Sequence, residues 1–179
     1  SRANAPGLGK YAAHWSGDNL GTFDFYKLSL SEVFNSNLFG IPMVGADICG
    51  FDYNTPERLC SQWYQMGSLY PFSRAHAHIE SYRKEPFAMG DLLYKTTLKS
   101  LQFRYSILKY YYSLFMLNKG TGTIFRPLFF EFYTDPLLLQ DKHIQNSFLI
   151  GSSLLVIPNF NQVDSSTSEA YFPQSDWYD

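Results

Sequence analysis

Eight consecutive residues without a charged or polar side chain, Phe39-Gly40-Ile41-Pro42-Met43-Val44-Gly45-Ala46, end abruptly at Asp47. A strand that is apolar on both faces needs cover on both faces, the condition of a parallel strand between helices. The flanks supply such helices. Over 22–34, Phe23, Tyr26, Leu30 and Phe34 recur at spacings of three and four, with Asp24 and Glu32 expected on the wet side. After Asp52-Tyr53-Asn54, Thr55 reads as an N-cap with Pro56 at the first helical position. Leu59, Trp63, Met66 and Leu69 or Tyr70 then line one face. A second short strand is expected at Tyr70-Pro71-Phe72. A long helix should follow from Gly90 through Leu117, with Leu93, Leu98, Leu101, Tyr105, Leu108, Tyr112 and Phe115 as its apolar stripe and Gly120-Thr121-Gly122 as its stop. Strand, helix, strand, helix is an α/β design with parallel strands.

The texture changes at about residue 123. Three apolar, aromatic, β-rich runs at 124–132, 147–158 and 170–173 follow with no long helix between them. This predicts the start of an all-β domain, a sandwich, over 123–179, after an α/β unit over 1–122. The chain has 179 residues, 45% hydrophobic, 18% aromatic and 17% charged, which is ample apolar surface for a packed core and argues against disorder. Fourteen Lys and Arg against sixteen Asp and Glu give a net charge of −2 without a basic block, so nucleic acid is a poor expectation as partner. The longest apolar stretches fall short of the roughly 20 residues a membrane span needs. No N-x-Ser/Thr acceptor occurs. The abrupt ends, Ser1-Arg2 and Trp177-Tyr178-Asp179, suggest an interior piece whose first partner is the remainder of the same polypeptide.

Cys49 and Cys60 fit no zinc spacing, and the residues themselves leave three readings open: buried thiols, a loop-closing disulfide, or a redox pair without its usual CxxC spacing. In parallel α/β folds, reactive groups sit at the C-terminal ends of strands. Three polar clusters occupy such places: His14-Trp15-Ser16-Gly17-Asp18-Asn19, Gly45-Ala46-Asp47-Ile48-Cys49-Gly50-Phe51 and Arg74-Ala75-His76. Each sets a polar or charged group near an aromatic ring or a glycine, a composition suited to sugars. Asp18 alone would also serve as a turn residue, and His76 as a structural hydrogen bonder. Asp47, at the end of a buried strand, must be paired or functional.

These segments carry a resemblance. Residues 10–19 (Lys-Tyr-Ala-Ala-His-Trp-Ser-Gly-Asp-Asn), 37–51 and 70–76 (Tyr-Pro-Phe-Ser-Arg-Ala-His), continued by Arg126-Pro127-Leu128-Phe129-Phe130-Glu131-Phe132 and Tyr171-Phe172-Pro173, resemble glycoside hydrolase family 31. Within it the likeness is to α-glucosidases of the lysosomal acid maltase and sucrase-isomaltase type. Residues 63–67 and 74–78 are also similar to the endoplasmic reticulum glucosidase II branch. The resemblance implies the C-terminal part of a (β/α)8 TIM barrel followed by a β-sandwich, and a retaining, exo-acting hydrolase of oligosaccharides ending in α-linked glucose. It implies Asp18 as general acid/base, Arg2 and His76 as partners of glucosyl hydroxyls, Trp15 and Phe51 as aromatic walls, and Asp47 and Arg74 as polar groups behind them. Cys49 and Cys60 match a family disulfide, which points to the secretory route, lysosomal or extracellular, or alternatively the endoplasmic reticulum lumen. The family's nucleophilic Asp, in a Trp-x-Asp-Met-Asn-Glu type of motif, has no match here, so half of the catalytic pair is expected. No metal or cofactor is implied. A non-catalytic carbohydrate-binding or structural homologue of the same fold is the alternative.

Overall fold

The computed structural model describes residues 3, 5–140, 146–162 and 167–179. Four two-residue strands build its first half: β1 (His14–Trp15), β2 (Val44–Gly45), β3 (Asp47–Ile48) and β4 (Arg74–Ala75). β1 pairs with β2 and β3 with β4, both in parallel. Only Ala46 separates β2 from β3, so they form one segment. Alternate carbonyls of a strand point to opposite edges. Those of Met43 and Gly45 accept from His14 and Ser16, while that of Val44 accepts from Phe72. The segment is therefore the middle of three adjacent parallel rungs, as in a barrel wall.

The central strand is shorter than the apolar run 39–46 predicts. The N–H groups of Phe39, Gly40 and Ile41 donate to Asn35, Asn37 and Ser36 and finish the preceding helix, and Pro42 has no N–H to give. The strand expected at 70–72 is likewise displaced to β4. Carbonyls of Ser68, Tyr70 and Pro71 instead receive the Arg104 guanidinium at 2.6, 2.7 and 3.1 Å.

Helix α1 (Phe23–Leu38) starts at Thr22, whose hydroxyl accepts from Phe25 N, and runs four residues past the expected end. Tyr26, Leu30 and Phe34 enter the core as the stripe predicts; Val33 joins them, and Phe23 is only partly buried against it. Glu32 does not stay on the wet side. One turn along from buried Ser29, it is half-buried, and burial pushes its carboxyl up against the pull of the Ser16 hydroxyl.

Helix α2 (Glu57–Gly67) is capped by Pro56 rather than Thr55, one residue later than expected. The Thr55 hydroxyl is taken: it donates to the Cys49 carbonyl. Leu59, Trp63, Met66 and Tyr70 are buried as predicted. Glu57 reaches out of α2 to accept from Leu93 N at 3.1 Å, which caps the next long helix.

The expected helix 90–117 is two helices. After the single turn α3 (Pro86–Met89), α4 (Asp91–Ser106) and α5 (Leu108–Leu117) meet at Ile107. The predicted stripe holds only at its ends: Leu93 is buried and Phe115 packs partly buried against the core, while Leu98, Leu101, Tyr105, Leu108 and Tyr112 are exposed and Thr97 and Tyr111 turn inward instead. Five residues carry the helix about 140° past a full turn, so Leu98 never shared a face with Leu93. The two helices are separated by Ile107 at φ −100°, ψ 5°, yet Leu93 and Tyr111 stay on one face across it.

The second half holds an antiparallel sheet, β5 (Phe125–Arg126), β6 (Phe148–Ile150) and β7 (Leu154–Val156), in that order. The run 124–132 gives only β5, because Pro127 follows and residues Leu128–Phe130 close a 3-10 turn. Residues 170–173 form no strand. The sheet shares its core with the helices: Phe125 stacks on Phe148 at 3.9 Å and meets Phe34 at 5.7 Å. Among the described residues no helix is long and apolar enough to cross a membrane.

Candidate active site

The loops that leave β1, β3 and β4 converge at the C-terminal ends of the strands. A Cβ at Gly45 would lie 1.8 Å from the Phe72 carbonyl oxygen, so only glycine lets the strands approach this closely. Below the loops, a disulfide joins Cys49 and Cys60 across a Cα–Cα distance of 4.7 Å, anchoring the turn after β3 to α2. That turn passes through Cys49 and Gly50, both at positive φ (69° and 76°).

Asp47 is fully buried and pairs with Arg74 Nη2 at 2.6 Å, which answers the question its position posed. Its second oxygen, Oδ2, is buried without a hydrogen-bond partner. Burial pushes the Asp47 carboxyl up; the Arg74 bond and charge and the His76 charge pull it down, and the Asp18 charge adds to the rise. The Arg74 guanidinium lies 5.7 Å from the Trp15 ring and 5.2 Å from the Phe72 ring, within cation–π range of both. Phe51 is half-buried, with His76 at 5.3 Å between ring centroids and His78 edge-on at 5.7 Å. Asp18 and His76 are exposed at the top of the loops.

The structure thus brings Trp15, Asp47 and Arg74 into one contact group and Phe51 with His76 into another. Asp18 and His76 are both close enough to act electrostatically on Asp47. Arg2 lies outside the described residues. Among the described residues no group of three or more His, Cys, Asp or Glu side chains could hold a metal ion.

Two residues that sequence reasoning did not single out tie the loops together. Asn19 is 3% exposed; its Nδ2 donates to the Asp47 carbonyl at 3.1 Å, and its Oδ1 accepts from Phe51 N at 2.9 Å. Lys84, 4% exposed, donates from Nζ to the Gly50 carbonyl at 2.6 Å. Burial lowers the Lys84 pKa, opposed by Asp52 and Asp47. The Asp-Asn pair at 18–19 held a signal for the first, since Asn favours turn-capping roles. Nothing in the charged string 80–85 marked the second.

Two family models together match nearly the whole chain: the glycosyl hydrolases family 31 TIM-barrel domain over residues 1–114 and the glycosyl hydrolase family 31 C-terminal domain over 121–179. The chain belongs to glycosyl hydrolase family 31. A relative from Tetrahymena pyriformis named lysosomal acid alpha-glucosidase is 45% identical over 179 residues, covering 99% of this chain and 19% of the relative. Alpha-xylosidase 1 of Arabidopsis thaliana is 41% identical, with 99% and 19% covered. Among solved structures, an ER glucosidase II heterodimeric complex of catalytic subunit and regulatory-subunit binding domain aligns with TM-score 0.82 and 34% identity, over 90% of this chain and 17% of that one. The chain therefore spans about a fifth of the length of these relatives. Its family 31 membership accounts for the two textures of the fold, parallel rungs with helices first and an antiparallel sheet after.

Proposed function

We propose that the chain is the part of a retaining, exo-acting α-glucosidase that carries the general acid/base, Asp18, while the nucleophilic carboxylate comes from elsewhere in the polypeptide. The observation that supports this most is the convergence of an exposed Asp18 with the buried Asp47–Arg74 pair and the Phe51–His76 pair at the C-terminal ends of three parallel strands. In this reading residues 1–122 are barrel and 123–179 the start of the sandwich.

A terminal glucosyl unit would sit against Trp15 and Phe51. Asp47 Oδ2, which has no protein partner, would accept a sugar hydroxyl, and His76 and Arg2 would hold others. The nucleophile attacks the anomeric carbon as the glycosidic C–O bond breaks, and Asp18 gives its proton to the leaving oxygen. Asp18, now ionised, takes a proton from water, whose oxygen displaces the nucleophile and releases glucose. Such a pair stands roughly 5–5.5 Å apart in retaining enzymes. The disulfide and the lysosomal and ER relatives support a site of action along the secretory route.

Asp18→Asn in the complete polypeptide should lower kcat for maltose by about 10²–10⁴-fold with an unchanged thermal transition. Near-parental turnover would remove Asp18 from the role. A complete polypeptide that binds maltose without cleaving it would favour the non-catalytic homologue. The alpha-xylosidase relative makes an α-xyloside the comparison substrate, and preferred cleavage of it would overturn glucose as the sugar.

A further inference from the structure

Asn19 stands next to Asp18 in the chain yet has the opposite environment. Asp18 is exposed, whereas Asn19 is buried and both ends of its amide are used on backbone groups of the loop after β3. Nδ2 holds the Asp47 carbonyl; Oδ1 holds Phe51 N at 2.9 Å. Its own carbonyl accepts from Phe51 N at 2.8 Å and Asp52 N at 3.0 Å. The bridge between Leu20 and Asp52, with Gly21 N donating to Asp52 O at 2.8 Å, continues the same seam. Behind it, Phe51 O receives His78 N at 2.8 Å and Lys84 Nζ holds Gly50 O at 2.6 Å, so the loop after β4 joins the assembly.

The consequence is geometric. Asp18 sits in the turn between the Ser16 N–Gly45 O bond and the Leu20–Asp52 bridge. One residue later Asn19 ties that turn to the Asp47–Phe51 segment through both its side-chain amide and its own carbonyl. We propose that Asn19 is a positioning residue for proton donation: it registers the Asp18 loop against the Asp47–Phe51 segment, and its loss would displace the proton donor while leaving the sugar pocket in place. The proposal rests on the glucosidase reading above.

Leaving-group chemistry separates this role from a structural one. Cleavage of maltose expels a sugar alkoxide that must be protonated as it departs. Fluoride leaves from α-glucosyl fluoride with little need of an acid, and kcat/KM reports only the steps through bond cleavage. In the complete polypeptide, Asn19→Ala should lower kcat/KM for maltose by about 10–100-fold, the scale of a misplacement near 1 Å, while α-glucosyl fluoride falls less than about 3-fold. Asn19→Asp keeps the size and the acceptor but turns an oxygen toward the Asp47 carbonyl. It should show the same split. Equal losses on both substrates, no loss on maltose, or absence of a cooperative thermal transition in both variants would overturn the positioning role. If the parent protein cleaves neither substrate, the glucosidase reading itself fails, an outcome distinct from all three.

Discussion

The loop-bearing half and the antiparallel half of this chain hold short strands by different means. Around β1–β4, two-residue strands contribute few ladder bonds, and side chains bonded to backbone do the rest: Asn19 to Asp47 and Phe51, Thr55 to Cys49, Lys84 to Gly50, Arg104 to three carbonyls. Around β5–β7, stacked rings carry the load, with Phe125 between Phe148, Phe34 and Tyr70. Polar ties fix the relative positions of loops without filling the space above them, which leaves room for a ligand. Ring packing fills space and serves stability alone.

The largest effect should therefore lie far from the candidate site. Phe125→Ala removes a fully buried ring from three ring contacts and leaves a cavity, at a cost of about 3–5 kcal/mol. Thermal unfolding should show the loss, and preserved substrate affinity in the folded fraction at low temperature would mark it as purely structural. A cost under about 1 kcal/mol would mean that the aromatic half is not what holds the fold.

The disulfide is the sharper probe of the polar half. Cys60→Ala, or reduction, frees the turn that carries Gly50 and Phe51 from α2. The short loop it closes, with the two cysteines 11 positions apart, predicts about 2–3 kcal/mol. Unlike Phe125→Ala, this change should also weaken substrate binding, because Phe51 and the seam to Asn19 lie on the released turn. Unaltered KM in a destabilised protein would break the proposed division between the two halves.

Helix α2, the core face of α1 and the α/β pattern were legible because apolar spacing reports burial directly. That the segments 14–19, 45–51 and 74–76 stand at the ends of parallel strands was legible from the apolar run before Asp47 and from the family resemblance. What failed, failed for reasons that periodicity does not encode. An apolar run over 39–46 says nothing about which N–H groups a helix end has already taken. A stripe over 93–115 cannot reveal the break at Ile107, nor how much of an apolar helix face the described chain leaves uncovered. Asn19 and Lys84 were invisible as ties because their partners are backbone groups distant in sequence, which side-chain identity does not announce.

The smallest expected effect tests the polar half by pH. Burial raises the Glu32 and Asp47 carboxyls, so each is more easily protonated in the folded state than in the unfolded chain. The stability each contributes is complete below the unfolded value and is lost as pH rises through the folded one. For Glu32 the loss begins near its ordinary value of 4.5 and proceeds upward. Glu32→Gln stays neutral throughout. Its midpoint should match the parent's in acid and exceed it once the parent's Glu32 has ionised. The variant should retain the part of the decline that belongs to Asp47. The buried phenols add nothing in this range, since burial holds them neutral: Tyr70 and Tyr111 are pushed well above the usual tyrosine value. Their stability is lost only as pH climbs past about 10, where unfolded tyrosine ionises. A parent–variant gap of the same size at every pH would show that Glu32 acts through packing, not charge.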